Sequence, residues 1–523
     1  MSEPLVWLGC AAAGAWGALC GMRALLHLLQ LESYQLPGYC RAVRRVGLRA
    51  WLPGLTAAAA NLVLLGAAGL RLAGGRAWLL LPGVAALGVG AWVYRRQRAF
   101  PAKKPLVFTP RLKRLCWVAA GVNLAGALLV GLVHPLCALL WPALVPVWTG
   151  LAHGAALPME RAINASFFRD AQRRLDAQPG LIRIGITGSY GKTSTKFMLR
   201  TLLAERYNTF ATPSSFNTPM GVTRAIREHL LPEHEVFIAE MGARHAGDIR
   251  ELCRLVHPTI GLLTSVGPQH LETFGTVARV AATKYELIEA LPTDGAAFFA
   301  RDGGSCDALY ARCTLAVKRR AGDSLRAEDI AVGPQGSSFT LVDAEGNRAA
   351  CQTRLLGAHN IQNLLLCCEV ALYLGLTLEQ LAAGIAKLEP VEHRLQLIAG
   401  QGVTVIDDAF NSNPAGAHAA LAVLRGFPGR HIVVTPGMVE LGAEQDAHNE
   451  AFGREMAQSA DVVMLIGRRQ TQAIARGLLS AGFPPDNLHQ LDSLDESTAL
   501  LQRLSRPGDT VLYENDLPDN YAG

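Results

Sequence analysis

Charged residues, paired cysteines and metal-ligand spacings are all scarce in this 523-residue sequence. Only 18% of the residues are charged and 50% are hydrophobic, giving a mean hydropathy of +0.21. The 11 cysteines form no CxxC pair, which argues against a zinc site or a disulfide framework and favours reduced, buried thiols. A chain this long allows about three domains, and its apolar composition predicts that one of them lies in a membrane.

Acidic residues are nearly absent from positions 1–160. This segment has 15 Lys and Arg residues but only Glu3, Glu32 and Glu160, a net charge of +12, whereas positions 161–523 carry −6. A nucleic-acid-binding protein would place its positive surplus on a soluble face, but here the surplus lies between apolar runs. We therefore expect no nucleic-acid partner.

Five uncharged stretches have near-spanning length, at 5–22, 51–70, 77–94, 115–133 and 136–152. Each is close to the roughly 17–25 residues that a helix needs to cross the hydrocarbon core. The first does not resemble a cleavable signal peptide, because it has no basic n-region and no A-x-A site. The sequence thus predicts an N-terminal segment of about five transmembrane helices.

Loop charges predict the orientation of these spans. After Glu32, the loop between the first two spans has four arginines and no acidic residue. The loop between the third and fourth spans has eight basic residues and no acidic residue. Both loops should be cytoplasmic by the positive-inside rule. A hairpin broken at His134 and Pro135 would then leave positions 160–523 in the cytoplasm, whereas one long span would place them outside. Positions 160–180 read as an amphipathic connector on the headgroups, with a plain solvated helix as the alternative.

From position 181 the sequence changes to a strand, a glycine-rich turn and an amphipathic helix. The turn reads T-G-x-x-G-K-T, in which Gly188 and Gly191 let backbone N–H groups approach phosphate oxygens. Lys192, expected on a solvent-facing loop, would reach the β and γ phosphates, and Thr193 would offer its hydroxyl to Mg²⁺. The strict P-loop spacing fails, since Ile186 stands where its first glycine belongs. The predicted nucleotide loop also includes Thr187, Ser189 and Ser194.

The turn and the motifs after it resemble those of one enzyme family. GITGSYGKTST at 185–195 is similar to the nucleotide loop of the Mur ligases, the ATP-dependent amide-forming enzymes of peptidoglycan synthesis, and of their folylpolyglutamate and polyglutamate relatives. Further motifs follow in the family's order and are similar to its D-alanyl-D-alanine-adding branch; they are SSFNTPMGV, AEMGARHAGDI, TSVGPQHLETFGT, ATKYELI, GAHNIQN, DDAFNSNP, and GMVELG with His448.

The resemblance implies two Mg²⁺ sites. Glu240 follows the apolar strand EVFIAE, where open α/β sheets place ligands, and would hold the first ion with Thr193. His270 is the candidate ligand of a second ion. Lys284 lies at the family's spacing for a lysine that is carbamylated by CO₂, which turns a cation into a metal-binding anion. The alternative for Lys284 is an ordinary surface lysine of a helix.

The resemblance also implies how nucleotide and substrate are bound. His359, Asn360 and Asn363 would face the adenine, although Asn360 is also a candidate helix cap. After Lys387 three buried-type strands alternate with helices, which predicts a second, Rossmann-like α/β unit. There Arg394 would contact a phosphate and Asp408 the ribose. The residues implied on the acceptor side are Asn217, Thr218, Asn411 and Asn413.

Three departures from the family stand out. The soluble domain that grips UDP in Mur ligases is replaced by the apolar segment, and Phe410 stands where the family has tyrosine. The C-terminal lysine-glycine-serine element is missing, since no lysine follows Lys387. In its place the acidic residues Glu514, Asp516 and Asp519 either recognise an amine or a cation or form a solvated tail.

These observations predict four segments: transmembrane helices at 1–159, the connector at 160–180, a P-loop ATPase domain at 181–388 and a C-terminal domain at 389–523. We expect an ATP-dependent carboxylate-amine ligase that works through an acyl phosphate at the inner face of a bacterial cytoplasmic membrane. ATP is cytoplasmic, which favours the broken hairpin. The acceptor would be lipid-linked or polymeric, the donor an amino acid or peptide amine, and a membrane protein partner is compatible with this arrangement. The alternatives are a poly-γ-glutamate capsule synthetase and, in another class, an ATP-gated scaffold or transport ATPase.

Overall fold

The computed structural model describes residues 3–71, 81–96, 105–269, 271–399, 402–410, 412–468 and 470–516. Three predicted functional residues, His270, Asn411 and Asp519, lie outside these ranges. The chain divides into two compact units, one within Met1–Ala165 and one within Ser166–Leu517.

The first unit is helical throughout its described part. Its apolar helices pack around a core that includes Met22, Leu29 and Leu112. The helices are α1 (Glu3–Gly21), α2 (Arg23–Leu31), α3 (Leu36–Val46), α4 (Leu52–Arg71), α5 (Leu81–Arg96), α6 (Pro110–Val133), α7 (Pro135–Leu140) and α8 (Val145–Asp176).

Two of the described helical elements are long and apolar enough to cross a membrane. They are Pro110–Val133, with a mean hydropathy of 2.0, and Cys137–Asp176, with 1.2; α1 and α2, bent by 43° at their junction, would make a third if they form one span. Helices α4 and α5 coincide with the second and third predicted spans, but only part of their side chains is described. The number of membrane spans therefore stays a prediction.

The break predicted at His134 is present, because α6 ends at Val133 and α7 begins at Pro135. The fifth predicted span differs from the structure: α7 and a 3₁₀ turn, Trp141–Leu144, precede α8, which continues to Asp176. The predicted connector is therefore not a separate helix, since its first residues belong to α8.

Side chains form hydrogen bonds around the 3₁₀ turn that follows this break. The Trp141 indole N–H donates to Oδ1 of buried Asn123 at 3.0 Å, and the Trp148 indole N–H donates to the Trp141 carbonyl at 2.7 Å. The two indole rings stack at 3.8 Å between centroids. An irregular backbone in apolar surroundings needs such partners, because an unpaired buried polar group costs several kcal/mol, about 2 to 7.

The second unit begins with a parallel α/β domain. Apolar strands alternate with helices, which cover both faces, and the strand order is β2-β3-β1-β4-β5-β6. The elements are β1 (Ile182–Thr187), α9 (Lys192–Leu203), β2 (Thr209–Ala211), α10 (Pro219–His229), β3 (Val236–Glu240), α11 (Asp248–Val256), β4 (Ile260–Leu263), α12 (Leu271–Phe274), α13 (Val277–Glu289), β5 (Ala296–Phe299), α14 (Ser305–Arg312) and β6 (Val317–Arg320).

A small antiparallel sheet and two helices complete this domain. The sheet has the order β7-β8-β9 and a register shift between Glu328 and Ala331. Helix α15 is buried continuously over residues 364–371 and packs on α9. The elements are β7 (Leu325–Gly333), β8 (Gly336–Asp343), β9 (Arg348–Thr353), α15 (Ala358–Tyr373) and α16 (Leu378–Ala386).

The C-terminal domain is a second α/β layer structure with the strand order β10-β11-β15-β12-β13-β14. Among the described strands of this C-terminal sheet, only β10 is antiparallel to its neighbour, β11. The elements are β10 (Gln396–Ala399), β11 (Thr404–Asp408), α17 (Pro414–Arg425), β12 (His431–Thr435), α18 (Gln445–Met456), β13 (Val462–Ile466), α19 (Gln472–Ser480), β14 (Leu488–Leu491), α20 (Leu494–Leu504) and β15 (Thr510–Glu514). The two α/β domains predicted from the sequence are thus confirmed.

Candidate active site

The glycine-rich turn joins β1 to α9 and has the backbone of a phosphate loop. Gly188 has φ +152° and Gly191 has φ +78°, backbone values that residues other than glycine rarely adopt. A Cβ on Gly188 would lie 2.1 Å from Oγ1 of Thr264, so no other residue fits there. Ser189 and the 264–267 segment brace the turn, with the Ser189 hydroxyl donating to the Gly267 carbonyl at 3.1 Å.

Lys192 does not extend into solvent as expected. It is the first residue of α9, is partly buried, and its Nζ donates to the carbonyls of Gly188 at 2.6 Å and Ser189 at 3.0 Å. Burial lowers its pKa to about 8, partly opposed by the charge of Glu240. The ammonium thus lies folded over the turn that would hold the phosphates.

Glu240, the last residue of β3, is the hub of the site. Its carboxylate accepts from the Thr193 hydroxyl at 3.0 and 3.1 Å, from Asn217 Nδ2 at 3.0 Å and from Lys196 Nζ at 3.1 Å. Glu240 is 1% exposed and Lys196 is fully buried. The structure therefore brings Thr193, Glu240 and Asn217 together, as predicted for the first two.

Lys196 is a site residue that the sequence reasoning missed. Its Nζ also donates to the Ser214 carbonyl, so it ties the 214–218 loop to Glu240. The signal was its position four residues after Lys192, which places both lysines on one face of α9.

Lys284 is not a surface lysine. It lies on α13, is 1% exposed, and its Nζ has no hydrogen-bond partner among the described residues. Burial lowers its pKa well below the ordinary value, and the charge of Lys192 adds to this. Burial without a hydrogen-bond partner thus favours the neutral form of this amine over the ammonium.

The residues predicted to face the adenine lie at the start of α15. The side chain of Asn360 donates to the Leu356 carbonyl at 2.8 Å, whereas Gly357 occupies the cap position. Asn363 lies against the phosphate turn, since a Cβ on Gly191 would be 3.3 Å from its amide. His359 is exposed. Asn360 thus satisfies a backbone carbonyl near the helix start but does not cap the helix.

Thr218 and Asn413 both cap helices. The Thr218 hydroxyl accepts from Gly221 N at 3.2 Å at the start of α10, and Asn413 Oδ1 accepts from Gly416 N at 2.9 Å at the start of α17. These contacts fix local structure. A role of either residue in binding the acceptor stays a prediction.

Arg394 comes from the linker into the C-terminal domain and is held in an unusual backbone. Its neighbours His393 and Leu395 have φ +58° and +45°, and His393 Nδ1 lies 2.7 Å from Asp407 Oδ2. The Arg394 guanidinium lies 4.5 Å from the centroid of the Phe410 ring.

A cavity of about 430 Å³ lies between the two domains of the second unit. Thr193, Ser214 and Ser215 line it from the ATPase domain, and Arg394 and Phe410 line it from the C-terminal side. Charges interact across this gap: the Arg394 guanidinium lowers the pKa of Lys192, and the Glu240 carboxylate raises that of Arg394. The arrangement can therefore bring the linker arginine to a phosphate chain that lies on the turn.

Asp408 and Glu514 meet at the edge of the C-terminal sheet. Asp408 Oδ1 accepts from Leu395 N at 3.1 Å, and Glu514 ends β15 with an exposure of 1%. The solvated tail that the sequence allowed is therefore wrong for Glu514, whereas Asp516 is exposed.

Two family models match the chain, the Mur ligase middle domain at 186–371 and the Mur ligase, glutamate ligase domain, at 393–513. The UDP-N-acetylmuramoyl-tripeptide--D-alanyl-D-alanine ligase of Mycobacterium tuberculosis is 35% identical over 368 residues, 64% of this chain and 70% of that protein. The corresponding Escherichia coli ligase is 34% identical over 304 residues, 56% of this chain and 66% of that protein.

Solved structures agree with these matches. MurF from Acinetobacter baumannii superposes with a TM-score of 0.61 and 25% identity, covering 68% of this chain and 77% of that one. MurF from Thermotoga maritima, solved in complex with ADP, has a TM-score of 0.60 and 24% identity, covering 68% and 80%. On the family models, the relatives and the phosphate turn together, the chain belongs to the Mur ligase family of ATP-dependent, amide-bond-forming ligases.

Proposed function

We propose that this chain is a membrane-bound ligase of bacterial peptidoglycan synthesis that joins a muramyl-peptide carboxylate to a dipeptide amine and releases ADP and phosphate. The relatives' names supply the substrate class. The observation that carries the proposal is the convergence of Lys192, Thr193 and Glu240 at one sheet edge, with Arg394 opposite. The capsule synthetase and the ATP-gated scaffold are not favoured, because the named relatives are muramyl-peptide ligases.

Thr193 and Glu240 fit a magnesium ion. Mg²⁺ is usually held by one or two carboxylates together with substrate phosphates; here one hydroxyl and one carboxylate lie 3.0 Å apart, and no cluster of three His, Cys, Asp or Glu occurs in the described ranges. The bound ion would offset negative charge on the phosphoryl group being transferred. Lys192 would exchange the carbonyls of Gly188 and Ser189 for phosphate oxygens.

The reaction that these residues support has two steps. The acceptor carboxylate attacks the γ-phosphorus of ATP and ADP leaves, giving an acyl phosphate; the amine then attacks the acyl carbon and phosphate leaves. Neither step needs a nucleophilic side chain. The protein's part is to position the reactants and to stabilise charge, through Lys192 and Arg394.

Lys284 is proposed to be carbamylated and to form a second Mg²⁺ site with His270. The support is its buried, unpartnered Nζ and its lowered pKa. A neutral amine is the form that adds CO₂, giving a carbamate anion and releasing a proton. A neutral lysine without a partner is otherwise a poor occupant of an ATPase core.

The first unit is proposed to lie in the cytoplasmic membrane, with the catalytic unit on the cytoplasmic side. Helix α6 exposes large apolar side chains that water would not stabilise, among them Trp117 at 80%, Leu132 at 69% and Val133 at 83%. We also propose the boundaries 1–159, 160–180, 181–388 and 389–523. A membrane-bound ligase would suit an acceptor that is lipid-linked or polymeric, or a membrane protein partner.

Phosphate release by the detergent-purified full chain tests the proposal. UDP-linked muramyl tripeptide, a lipid-linked muropeptide and glutamate oligomers are compared as acceptors, each with and without D-alanyl-D-alanine. We expect release only when a muramyl carboxylate and the amine are both present, and none with Lys192→Ala. ATP hydrolysis at the same rate without either substrate would refute ligation and favour the scaffold or transport alternative.

A further inference from the structure

Two carboxyl groups face each other where β11 and β15 end. The strands are parallel neighbours, and their register pairs Asp408 with Glu514, the last residue of each. Glu514 is 1% exposed, whereas Asp408 is only partly buried. Asp408 is therefore the more accessible of the two carboxyl groups, and Glu514 is the more deeply buried.

Glu514 has one satisfied and one unsatisfied oxygen. The Ser412 hydroxyl donates to Oε1, but Oε2 is buried and receives no hydrogen bond from any N–H or O–H group of the described residues. The register of β11 and β15 places the Asp408 carboxyl group beside it, and the two groups interact. Two carboxylates cannot accept from each other, so the contact is stable only when one of them holds a proton.

The surroundings favour a proton on this pair. Burial raises the pKa of Asp408 to about 6 and that of Glu514 well above its usual range. The charge of Asp408 raises the Glu514 pKa further, and the charge of Asp407 adds to the rise at Asp408. The Arg394 guanidinium opposes both shifts. One shared proton leaves one negative charge opposite one guanidinium, which is the balanced state of the cluster.

The other elements that pack on β15 leave this balance unchanged. Their titratable and charged side chains have other partners. His418 and Arg425 of α17 pair with Glu455. Both ring nitrogens of His431, on β12, are within hydrogen-bond distance of backbone carbonyls. Asp407, beside Asp408, is paired with His393. No lysine follows Lys387 in the chain, so the C-terminal domain itself offers no ammonium to neutralise Glu514.

We propose that Glu514 is a positioning residue, which in its protonated form donates a hydrogen bond to Asp408 and so aims Asp408 and Arg394 at the nucleotide. Asp408 reaches Arg394 in two ways, through charge and by holding the Leu395 N–H next to it in the chain. The link to nucleotide rests on the proposed function, whereas the shared proton does not.

The test compares Glu514→Gln, Glu514→Ala and the control Glu496→Gln, an exposed acid of the same domain, in the full chain. Glutamine keeps a hydrogen-bond donor but cannot ionise. We expect Glu514→Gln to retain kcat within about twofold at pH 7 and to lose less activity than wild type as the pH rises. Glu514→Ala should lower kcat by about 10- to 100-fold, the scale of a misplaced reacting group.

Thermal unfolding without substrates tests the shared proton independently of ligation. A carboxyl group whose folded pKa is raised binds its proton more tightly in the folded state, so its contribution to stability is lost as pH rises from its unfolded pKa through the folded one. The Tm of Glu514→Gln should therefore gain on that of wild type between pH 5 and pH 9. A constant Tm difference over that range, or wild-type kcat in Glu514→Ala, would overturn the proposal. If none of the variants or the wild type is active, the Tm series still decides whether Asp408 and Glu514 share a proton.

Discussion

Replacing Lys196 by methionine tests the hub at Glu240. The side chain keeps its length but loses the ammonium that contacts Glu240 Oε2 at 3.1 Å and the Ser214 carbonyl. Both ionic groups are within 1% of full burial, and removing one partner of such a pair typically costs about 3 to 5 kcal/mol.

We expect this change to lower the Tm of the catalytic unit by about 5 to 10 °C, given the small Tm shift per kcal/mol in large domains. Differential scanning calorimetry of the full chain measures it. The matched control is Lys387→Met, which also breaks a lysine-glutamate pair, to Glu205 at 2.7 Å, but with the lysine 63% exposed. Such a surface pair contributes about 0 to 1 kcal/mol. Equal Tm values for the two variants would refute the argument that Lys196 stabilises a buried carboxylate. The Mg²⁺ concentration needed for activity is the second readout. We expect Lys196→Met to raise it, because Lys196 contacts the same Glu240 carboxylate that would hold the ion with Thr193.

Three further outcomes are expected. Lys192→Ala should abolish turnover while circular dichroism shows an intact fold. In the wild type, the ATP affinity measured by calorimetry should fall as the pH rises through about 8, where Lys192 loses its charge. An ATP affinity that is constant from pH 7 to 9 would contradict this. Lys284→Ala should lose most activity and Lys284→Glu or an added short carboxylic acid should restore some, whereas an unmodified Lys284 remote from His270 in a structure with Mg²⁺ and nucleotide would end the carbamate proposal. A reporter fused after Gly523 should be active only in the cytoplasm, and activity only in the periplasm would overturn the topology.

The sequence predicted the parts of the site that depend on local pattern. The strand, turn and helix around Gly188 and the position of Glu240 at a strand end follow from short-range periodicity and glycine chemistry. Proline marked the break after α6 in the same way. The residues that pattern could not place are those whose role depends on distant partners.

Lys196 and Glu514 illustrate this limit. The spacing from Lys192 places Lys196 on the same face of α9, but it does not show that Lys196 is buried against Glu240, 44 positions away. Glu514 read equally well as part of an acidic tail. The connector's start at position 160 rests on a change in charge and stays a prediction; helix α8 runs across that position, from Val145 to Asp176.

The linker around Arg394 stores conformational energy. Left-handed backbone at non-glycine residues costs about 1 to 3 kcal/mol each, and His393 and Leu395 both adopt it. The segment that joins the two domains therefore carries a conformational cost, which the contacts around it have to offset. The change Leu395→Gly would remove this cost, because glycine adopts positive φ freely, but it would also free Arg394 from the backbone geometry that directs it.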